Sequence, residues 1–594
     1  MAKWVEVGGK KYEEDSTFHP DRVDPQTSWP EEGGHRNRLA MVNVHREIRQ
    51  GWEKTMSIFH RRRYGNTVYL GTFIFVVIFV FTIGAAIRHG GPDVYNMRAT
   101  HAIRKALSAH ARRFLPFYRS GPMNVIFIVA DDLGWNDIGY RNPEVVTQNL
   151  NRLAREGVVL NQSYVQSTCS PSRAAMMTGY YPHRMGLQHR TITVNQAKFI
   201  PLSIPTLAEE LKSRGYTTRI VGKWHVGHCN WKYTPTNRGF DSHFGYLGAS
   251  EDYYKHTARG VHDYWNNTAP DFDHENVYST DTFADIAVDL IRDHAATRAE
   301  PLFMYLAFQS IHGPLNEPPG RYISPRHNEN TKKNRRTVNN MILALDVAIG
   351  RVANALEETG MMGNTLLVFT SDNGGALDSW GDNTPLRGGK FTQWEGGTRA
   401  VTFINSPMVK SPGREFNGLF HAVDWAPTIL AAVDSQLNSQ QIATSDMDGL
   451  NQWDSLVENT RGITRNDMVY IFDEVDGTYA YRYGHFKLII GPPVCAEYQH
   501  QMTENKGPDP NCWYDSIHTR KNTTCDYELA DTMLFNVVND PEERFNLAAR
   551  RPDVVNALKQ KMKELKKDAI PNQSNEPVDI SGSTKDAVLY PGWC

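Results

Sequence analysis

Four short stretches place metal-binding, anion-holding and proton-carrying side chains directly after apolar runs. Asp131 and Asp132 follow the run 124–130, and Asp372 and Asn373 follow the run 366–370. Their oxygens are hard ligands of the kind that Ca²⁺ or Mg²⁺ prefers and that Zn²⁺ does not need. Lys223 and His225 follow the run 217–221, and His312 follows 302–308, so an anion-holding cation and two titratable nitrogens join the set. Taken singly, each has an ordinary reading as a turn former, a helix cap or a satisfied structural histidine. It is their joint occurrence behind four apolar runs that points to chemistry.

A fifth stretch is Cys169-Ser170-Pro171-Ser172-Arg173, running on to Gly179. Pro171 suits the first turn of a helix, Ser170 its N-cap and Gly179 its end. Cys169 is therefore expected just outside a helix N-terminus, where the dipole and free amides favour negative charge. The ordinary reading of a lone Cys is a small buried hydrophobe. Arg173, about one turn further on, is placed to orient whatever group position 169 carries. The stretch 385–390, followed by Trp394-Glu395-Gly396-Gly397, reads as a Gly-rich loop bearing cations, with a solvated surface loop as its plain alternative.

The four runs predict strands buried on both faces of a parallel sheet. Helical stretches at 206–214, 281–294 and 338–359 alternate with them, which predicts an α/β fold with a large, mostly parallel sheet flanked by helices. In such sheets ligands bind beyond the carboxyl ends of the strands, where the chemistry-bearing residues fall. From about residue 466 the pattern changes. Short strands at 468–472, 479–482, 486–490 and 533–537 and a closing amphipathic helix at 552–567 predict a smaller C-terminal α+β domain.

From Asn124 to about Asn546 the chain resembles the formylglycine-dependent (type I) sulfatases of the alkaline phosphatase superfamily. It is most similar to the arylsulfatase B group, which includes the N-acetylgalactosamine-4-sulfatases. The resemblance rests on Ala130-Asp131-Asp132-Leu133-Gly134-Trp135, Cys169 to Arg173, Val221-Gly222-Lys223-Trp224-His225-Val226-Gly227 and Arg238-Gly239-Phe240-Asp241. Gly245-Tyr246, Ser250-Glu251-Asp252-Tyr253-Tyr254, Ser371-Asp372-Asn373-Gly374-Gly375, the 385–390 loop, Trp394 to Gly397 and Asp540-Pro541-Glu542-Glu543 extend it. The resemblance implies an alkaline phosphatase-like fold and oxidation of Cys169 to formylglycine (3-oxoalanine) by a formylglycine-generating enzyme. It implies one Ca²⁺ ligated by Asp131, Asp132, Asp372, Asn373 and modified Cys169. Lys223 and Lys390 would hold the sulfate, Arg173 and His225 the formylglycine hydrate, and His312 would face the leaving oxygen. One hydroxyl of the hydrate would attack sulfur as Asp372 takes its proton, and the second, with help from His225, would expel sulfate. The chain has Met177-Thr178-Gly179-Tyr180 where the family usually has Leu-Thr-Gly-Arg. Selection of the leaving group falls to loops such as 251–269.

The chain has 594 residues, 40% hydrophobic and 22% charged, with a formal net charge of −2, which fits a multi-domain globular protein. No block of basic residues interleaved with aromatics lies beyond the N-terminal region, which argues against nucleic acid as a partner. Residues 68–87 form an uncharged run long enough to cross a bilayer and read as a signal anchor. The expected organisation is a cytoplasmic tail (1–67, mostly without regular structure), the span (68–87), a luminal stem (88–120), a catalytic domain (121–465) and the C-terminal domain (466–594). Arg61, Arg62 and Arg63 before the span favour a cytoplasmic N-terminus against the later Arg88, Arg98, Arg104 and Lys105, and residues 46–63 would lie against an anionic leaflet or simply set topology. All six cysteines and the four glycosylation sequons at Asn161, Asn266, Asn522 and Asn572 follow the span, as expected for a type II protein whose catalytic part is luminal or extracellular. With Cys169 set aside, five cysteines remain, so one is left unpaired or joins another chain. The leading expectation is a sulfuric ester hydrolase acting on sulfated glycans or aryl sulfates. The alternatives are a phosphatase or phosphodiesterase of the same superfamily, or a catalytically silent membrane glycoprotein that binds sulfated ligands through Lys223, Lys390 and Arg173.

Overall fold

The computed structural model describes a hairpin near the N-terminus and residues 123–594 except 299, 327–330, 434–445, 459–464, 506, 517–520, 525–528, 581, 583 and 586. Near the N-terminus Trp4–Val7 pairs antiparallel with Lys10–Glu13. The rest of the expected tail lies outside the described residues. The span at 68–87, the basic stretch 46–63 and the stem 88–120 lie outside the described residues. Among the described residues no helix is long and apolar enough to cross a membrane.

A ten-stranded sheet dominates residues 123–594, with the order Ala269–Pro270 (β6), Trp265–Asn266 (β5), Ser242–Gly245 (β4), Thr217–Gly222 (β3), Leu302–Ala307 (β7), Asn124–Ala130 (β1), Thr365–Ser371 (β8), Thr402–Asn405 (β9), Val158–Leu160 (β2) and Arg414–Phe416 (β10). The strands β4, β3, β7, β1 and β8 are parallel. The four expected runs are therefore the centre of the sheet. The sheet as a whole is mixed rather than mostly parallel, because β5, β6 and β9 pair antiparallel with their neighbours. These outer strands have two to four residues, too few to show a strand period in sequence.

Alternate residues of the central strands feed two cores. Ile126, Ile128, Met304, Leu306, Leu367 and Phe369 pack with the helices Ser279–Thr297 (α4) and Lys333–Glu358 (α5). Val125, Phe127, Phe303, Tyr305 and Val368 pack on the opposite face with Cys169–Thr178 (α2) and Leu207–Ser213 (α3). The helix α1, Gln148–Arg155, precedes β2. A capping box starts α3, with Glu209 N–H donating to Thr206 Oγ1 at 3.1 Å and Thr206 N–H to Glu209 Oε2 at 2.7 Å.

A second sheet runs antiparallel in the order Asp467–Asp473, Thr478–Tyr483, Phe486–Ile490 and Thr532–Asn536, and the helix Pro552–Leu565 (α6) follows it. It is tied to the large sheet through buried charge. Lys487 Nζ sits 3.1 Å from Glu395 Oε1 and 2.9 Å from Glu543 Oε1, and Glu395 N–H donates to Glu543 Oε2 at 2.6 Å. All three side chains have no exposure. The chain then returns. Residues 570–578 run along 183–199, with Ile570 N–H donating to His183 O and Val578 N–H to Asn195 O. The end of the chain is fixed by the disulfide Cys229–Cys594. Cys512 is also disulfide-bonded, and Cys495 is a free thiol, the odd cysteine that the count requires.

Burial pushes the Glu543 carboxyl up to about 7, against the attraction of Lys487. A carboxyl raised in the folded state takes up protons on folding between its unfolded and folded values. Its contribution is therefore lost as pH rises through about 7 and grows as pH falls toward the unfolded value. Glu543→Gln is expected to flatten the fall in melting temperature between pH 6 and pH 8 relative to the parent, read by thermal unfolding across that window.

Candidate active site

The carboxyl ends of β1, β8, β3 and β7 and the start of α2 meet at one point. The sequence placed Cys169 outside the helix with Ser170 as cap; instead α2 begins at Cys169 and its N-cap is Thr168. The physical reason lies in Ser170, whose Oγ contacts His225 Nε2 at 3.0 Å and accepts from Ile192 N–H at 3.0 Å, and so is not free to cap. Gly179 ends the helix in the left-handed conformation, as expected.

Three carboxylates and three cations lie buried together. Lys223 Nζ is 2.5 Å from Asp131 Oδ2, and Lys390 Nζ is 2.7 Å from Asp132 Oδ1. Arg173 donates from Nε to Asp372 Oδ2 at 2.9 Å, with its Nη2 3.7 Å from Asp131 Oδ2. None of the six residues is more than 2% exposed. Asn373 Nδ2 donates to Asp132 Oδ1 at 2.7 Å, and Asp132 N–H reaches Asp372 Oδ1 at 3.3 Å. Asp132 and His225 both hold left-handed backbone (φ 60° and 59°), a strain of about 1–3 kcal/mol each that persists only where the surroundings enforce it. Gly222 allows the turn into Lys223: its φ is 101°, and a Cβ there would sit 2.0 Å from Ala307 O. Gly374 lets the 394–397 segment approach, since a Cβ would meet Gly396 O at 1.8 Å.

Burial works against ionisation of Asp131, but Lys223, His312 and Arg173 outweigh it and hold the carboxyl below its usual range. Asp372 is held above that range by burial and by Asp131, despite Arg173. Burial, helped by Lys223, keeps His225 well below the ordinary value. Its Nε2 faces Ile192 O at 2.8 Å and its Nδ1 has no partner, which leaves a neutral ring with a free acceptor. His312, also lowered by burial and then by Lys390, sits with Nε2 3.8 Å from Asp132 Oδ2 and Nδ1 against Gly313 O. Burial pushes the Cys169 thiol up, so it stays protonated at neutral pH.

The oxygens suit a hard cation. Asp131 Oδ1 and Asn373 Oδ1 are buried without a hydrogen-bond partner. Asp131, Asp132, Cys169 and His312 each bring a donor atom within 4.8 Å of the others. Asp131, Asp132, Cys169, Arg173, Lys223, His225, His312, Asp372, Asn373 and Lys390 are all gathered here. Arg387 stacks between Trp394 and Trp513 at 3.6 and 4.2 Å and donates to Asn511 O, so it supports the loop rather than facing the site, and the loop is buried rather than solvated.

Above this floor opens a cavity of about 380 Å³ reached by Cys169, His225, His312 and Lys390. Its walls are residues 191–194 on one side and 248–252, 257–259 and Asp263 on another. Only the second wall had a sequence signal, the 251–269 loop. Ser170 and the 191–194 wall had none, because their roles depend on contacts between segments distant in the chain. Of the sequon asparagines, Asn266 is exposed; Asn161 and Asn572 are half-buried, and Asn522 lies on the strand Lys521–Thr524.

Residues 123–435 match the family model described as Sulfatase. Over 476 residues the chain is 36% identical to mouse (Mus musculus) arylsulfatase J, covering 75% of this chain and 76% of that protein. It is 28% identical over 478 residues to mouse N-acetylgalactosamine-6-sulfatase, covering 76% and 88%. The crystal structure of Ps i-CgsB in complex with k-i-k-neocarrahexaose superposes with a TM-score of 0.62 at 26% identity, over 76% of this chain and 95% of that one.

Removing one partner from a buried ionic cluster leaves uncompensated charge. Arg173→Ala, which strips Asp372 and Asp131 of a shared cation, is expected to cost about 3–5 kcal/mol in unfolding free energy, measured by denaturant titration, and Arg173→Lys less.

Proposed function

Since the chain belongs to the sulfatase family, has its alkaline phosphatase-like fold and is a sulfuric ester hydrolase, we propose that it works through formylglycine at position 169 and one Ca²⁺, on sulfated glycans. The observation that carries this reading is the setting of Cys169. The thiol is 1% exposed and held protonated, yet it stands among aspartate oxygens and beside a buried lysine. A protonated thiol is a poor nucleophile and a soft ligand, so the encoded cysteine does not suit its own surroundings, whereas an oxygen function does. As its hydrate, formylglycine supplies a hydroxyl nucleophile and a way to shed sulfate by returning to the aldehyde.

Asp131, Asp132, Asp372, Asn373 and residue 169 would hold the ion, which supplies positive charge for the sulfate and the nucleophilic oxygen. The side chains of the floor are formally balanced, three carboxylates against three cations. A divalent ion would make the site net positive, which suits a sulfate monoester anion. Lys223 and Lys390 would hold the sulfate oxygens, and Arg173 would orient residue 169. Asp372, held above the ordinary carboxyl range, would accept the proton of the attacking hydroxyl. His225 would take the proton of the second hydroxyl at its unpartnered Nδ1. His312 would protonate the leaving oxygen from Nε2, its Nδ1 being held by Gly313 O.

The glycan reading is supported by the size of the cavity, which lies within the range for small-molecule sites. It is supported also by the carbohydrate bound in the Ps i-CgsB complex and by the relative named N-acetylgalactosamine-6-sulfatase. The intramolecular disulfide supports a luminal or extracellular catalytic part, and residues 68–87 would anchor it. The phosphatase and silent-binder alternatives are not favoured by the family match.

The direct test is the mass of the deglycosylated tryptic peptide 156–173, from cells that contain the maturation enzyme. Formylglycine at position 169 is the expected result, and an unmodified thiol in every copy would end the proposed mechanism. A pH profile checks His312. An acid acts when protonated and the His312 value lies below 6.5, so kcat/KM is expected to fall as pH rises through that lower value. His312→Gln is expected to abolish this limb and to slow glycan esters by roughly 10²–10⁴-fold, with a smaller loss on an activated aryl sulfate.

A further inference from the structure

Among the described residues, no protein group answers one cation on the rim of the cavity. Arg259 lines the cavity and is exposed, and among the described residues its side chain makes no hydrogen bond, ion pair or ring contact. The acids on the same wall are committed elsewhere. Asp263 accepts from Leu247 N–H, Gly248 N–H and Trp265 Nε1–H at 2.8–3.0 Å. Asp252 accepts from Tyr254 N–H, Lys255 N–H and Asn316 Nδ2–H, and Glu251 pairs with His256 at 3.1 Å.

The backbone under Arg259 is unusual for its residue type. Thr257–Ala258 pairs with Val261–His262 across a two-residue turn, with φ of 49° at Arg259 and 86° at Gly260. Asn-Gly fits such a turn best, and an Arg at its first position carries a left-handed backbone cost. The turn is also anchored. His262 pairs with Val588 and donates its N–H to Ala587 O at 2.6 Å. Four residues on, Gly592 and Trp593 donate to Cys229 O, beside the Cys229–Cys594 bond. A strained, anchored turn thus holds an unanswered guanidinium at the mouth of a site whose floor already has cations for one sulfate.

Building on the sulfatase reading above, we propose that Arg259 is a specificity-determining residue that binds a second anionic group of the substrate, a carboxylate or a further sulfate ester on the sugar next to the one that loses its sulfate. The preferred substrate is then a polyanionic glycan. Selection rests on differential recognition, because a mono-anionic ester fills the floor and leaves Arg259 unused.

The test compares the parent with Arg259→Asn, which the turn favours, and Arg259→Lys. Three esters are used: 4-methylumbelliferyl sulfate, a sulfated disaccharide containing a uronic acid, and a disaccharide carrying two sulfates. The expected result is a roughly three- to ten-fold fall, mostly in KM, in the ratio of disaccharide to aryl-sulfate kcat/KM for Arg259→Asn. Arg259→Lys should keep most of the ratio, and the salt dependence of disaccharide turnover should weaken in Arg259→Asn. The disaccharide that loses more identifies the second anion as carboxylate or sulfate. A ratio within two-fold of the parent for both disaccharides, with the melting temperature of Arg259→Asn at or above that of the parent, overturns the proposal. If the parent cleaves none of the three esters, the hydrolase reading itself fails, which is a separate and distinguishable result.

Discussion

The structure depends on one constraint: three carboxylates and three cations brought out of water together at the ends of four parallel strands. Asp131, Asp132 and Asp372 cannot be buried singly, since isolated charge in the interior costs many kcal/mol. Lys223, Lys390 and Arg173 answer them one for one, from three different elements. Each partner is delivered by a separate crossing of the chain, so the cluster exists only when the central sheet, α2 and the 385–397 loop are all in register. The chemistry and the fold therefore stand on the same contacts.

The same logic recurs about the second sheet. Lys487 lies between Glu395 and Glu543, and Tyr164 Oη donates to Glu395 Oε2 at 2.7 Å. Glu395 belongs to the segment that Gly374 admits to close contact, and Gly374 directly follows the Asp372-Asn373 pair. The small C-terminal sheet thus reaches the floor of the site through one buried carboxylate and one glycine approach. In the opposite direction the chain end crosses back over 183–199 to reach the rim hairpin and Cys229. Both walls of the cavity are consequently braced by residues from the last 25 positions of the chain.

What sequence revealed follows the length and character of each element. The runs at β1, β7 and β8 were legible from four to six consecutive apolar residues, and β3 from β-branched residues around a single Arg219; the residues after them were then fixed to one edge of the sheet. The capping box of Thr206 and Glu209 and the glycine after α2 marked helix ends from local chemistry alone. Ser170 misled because a serine before a helical proline is a good cap by type; its hydroxyl is drawn instead to His225, fifty-five positions away. The 385–390 loop offers two cations by type, and two tryptophans claim one of them, Arg387. The antiparallel strands were hidden because runs of two to four residues have no period to read.

This division carries a functional consequence. The floor comes mainly from the ends of long strands whose register is set by two hydrophobic cores, so Lys223, His225 and His312 have little freedom to vary in position. The rim comes from two-residue strands, left-handed turns and a returning chain end, where a substitution alters shape or charge without disturbing either core. Differences in the sulfated molecule that such enzymes accept must therefore be written mainly at the rim. Rim groups recognise a leaving group best when they are held still, since ordering a loose loop on each binding event would consume affinity. A turn pinned by a strand from the chain terminus, with that terminus fixed covalently beside the segment bearing Lys223 and His225, meets this requirement without adding to the core.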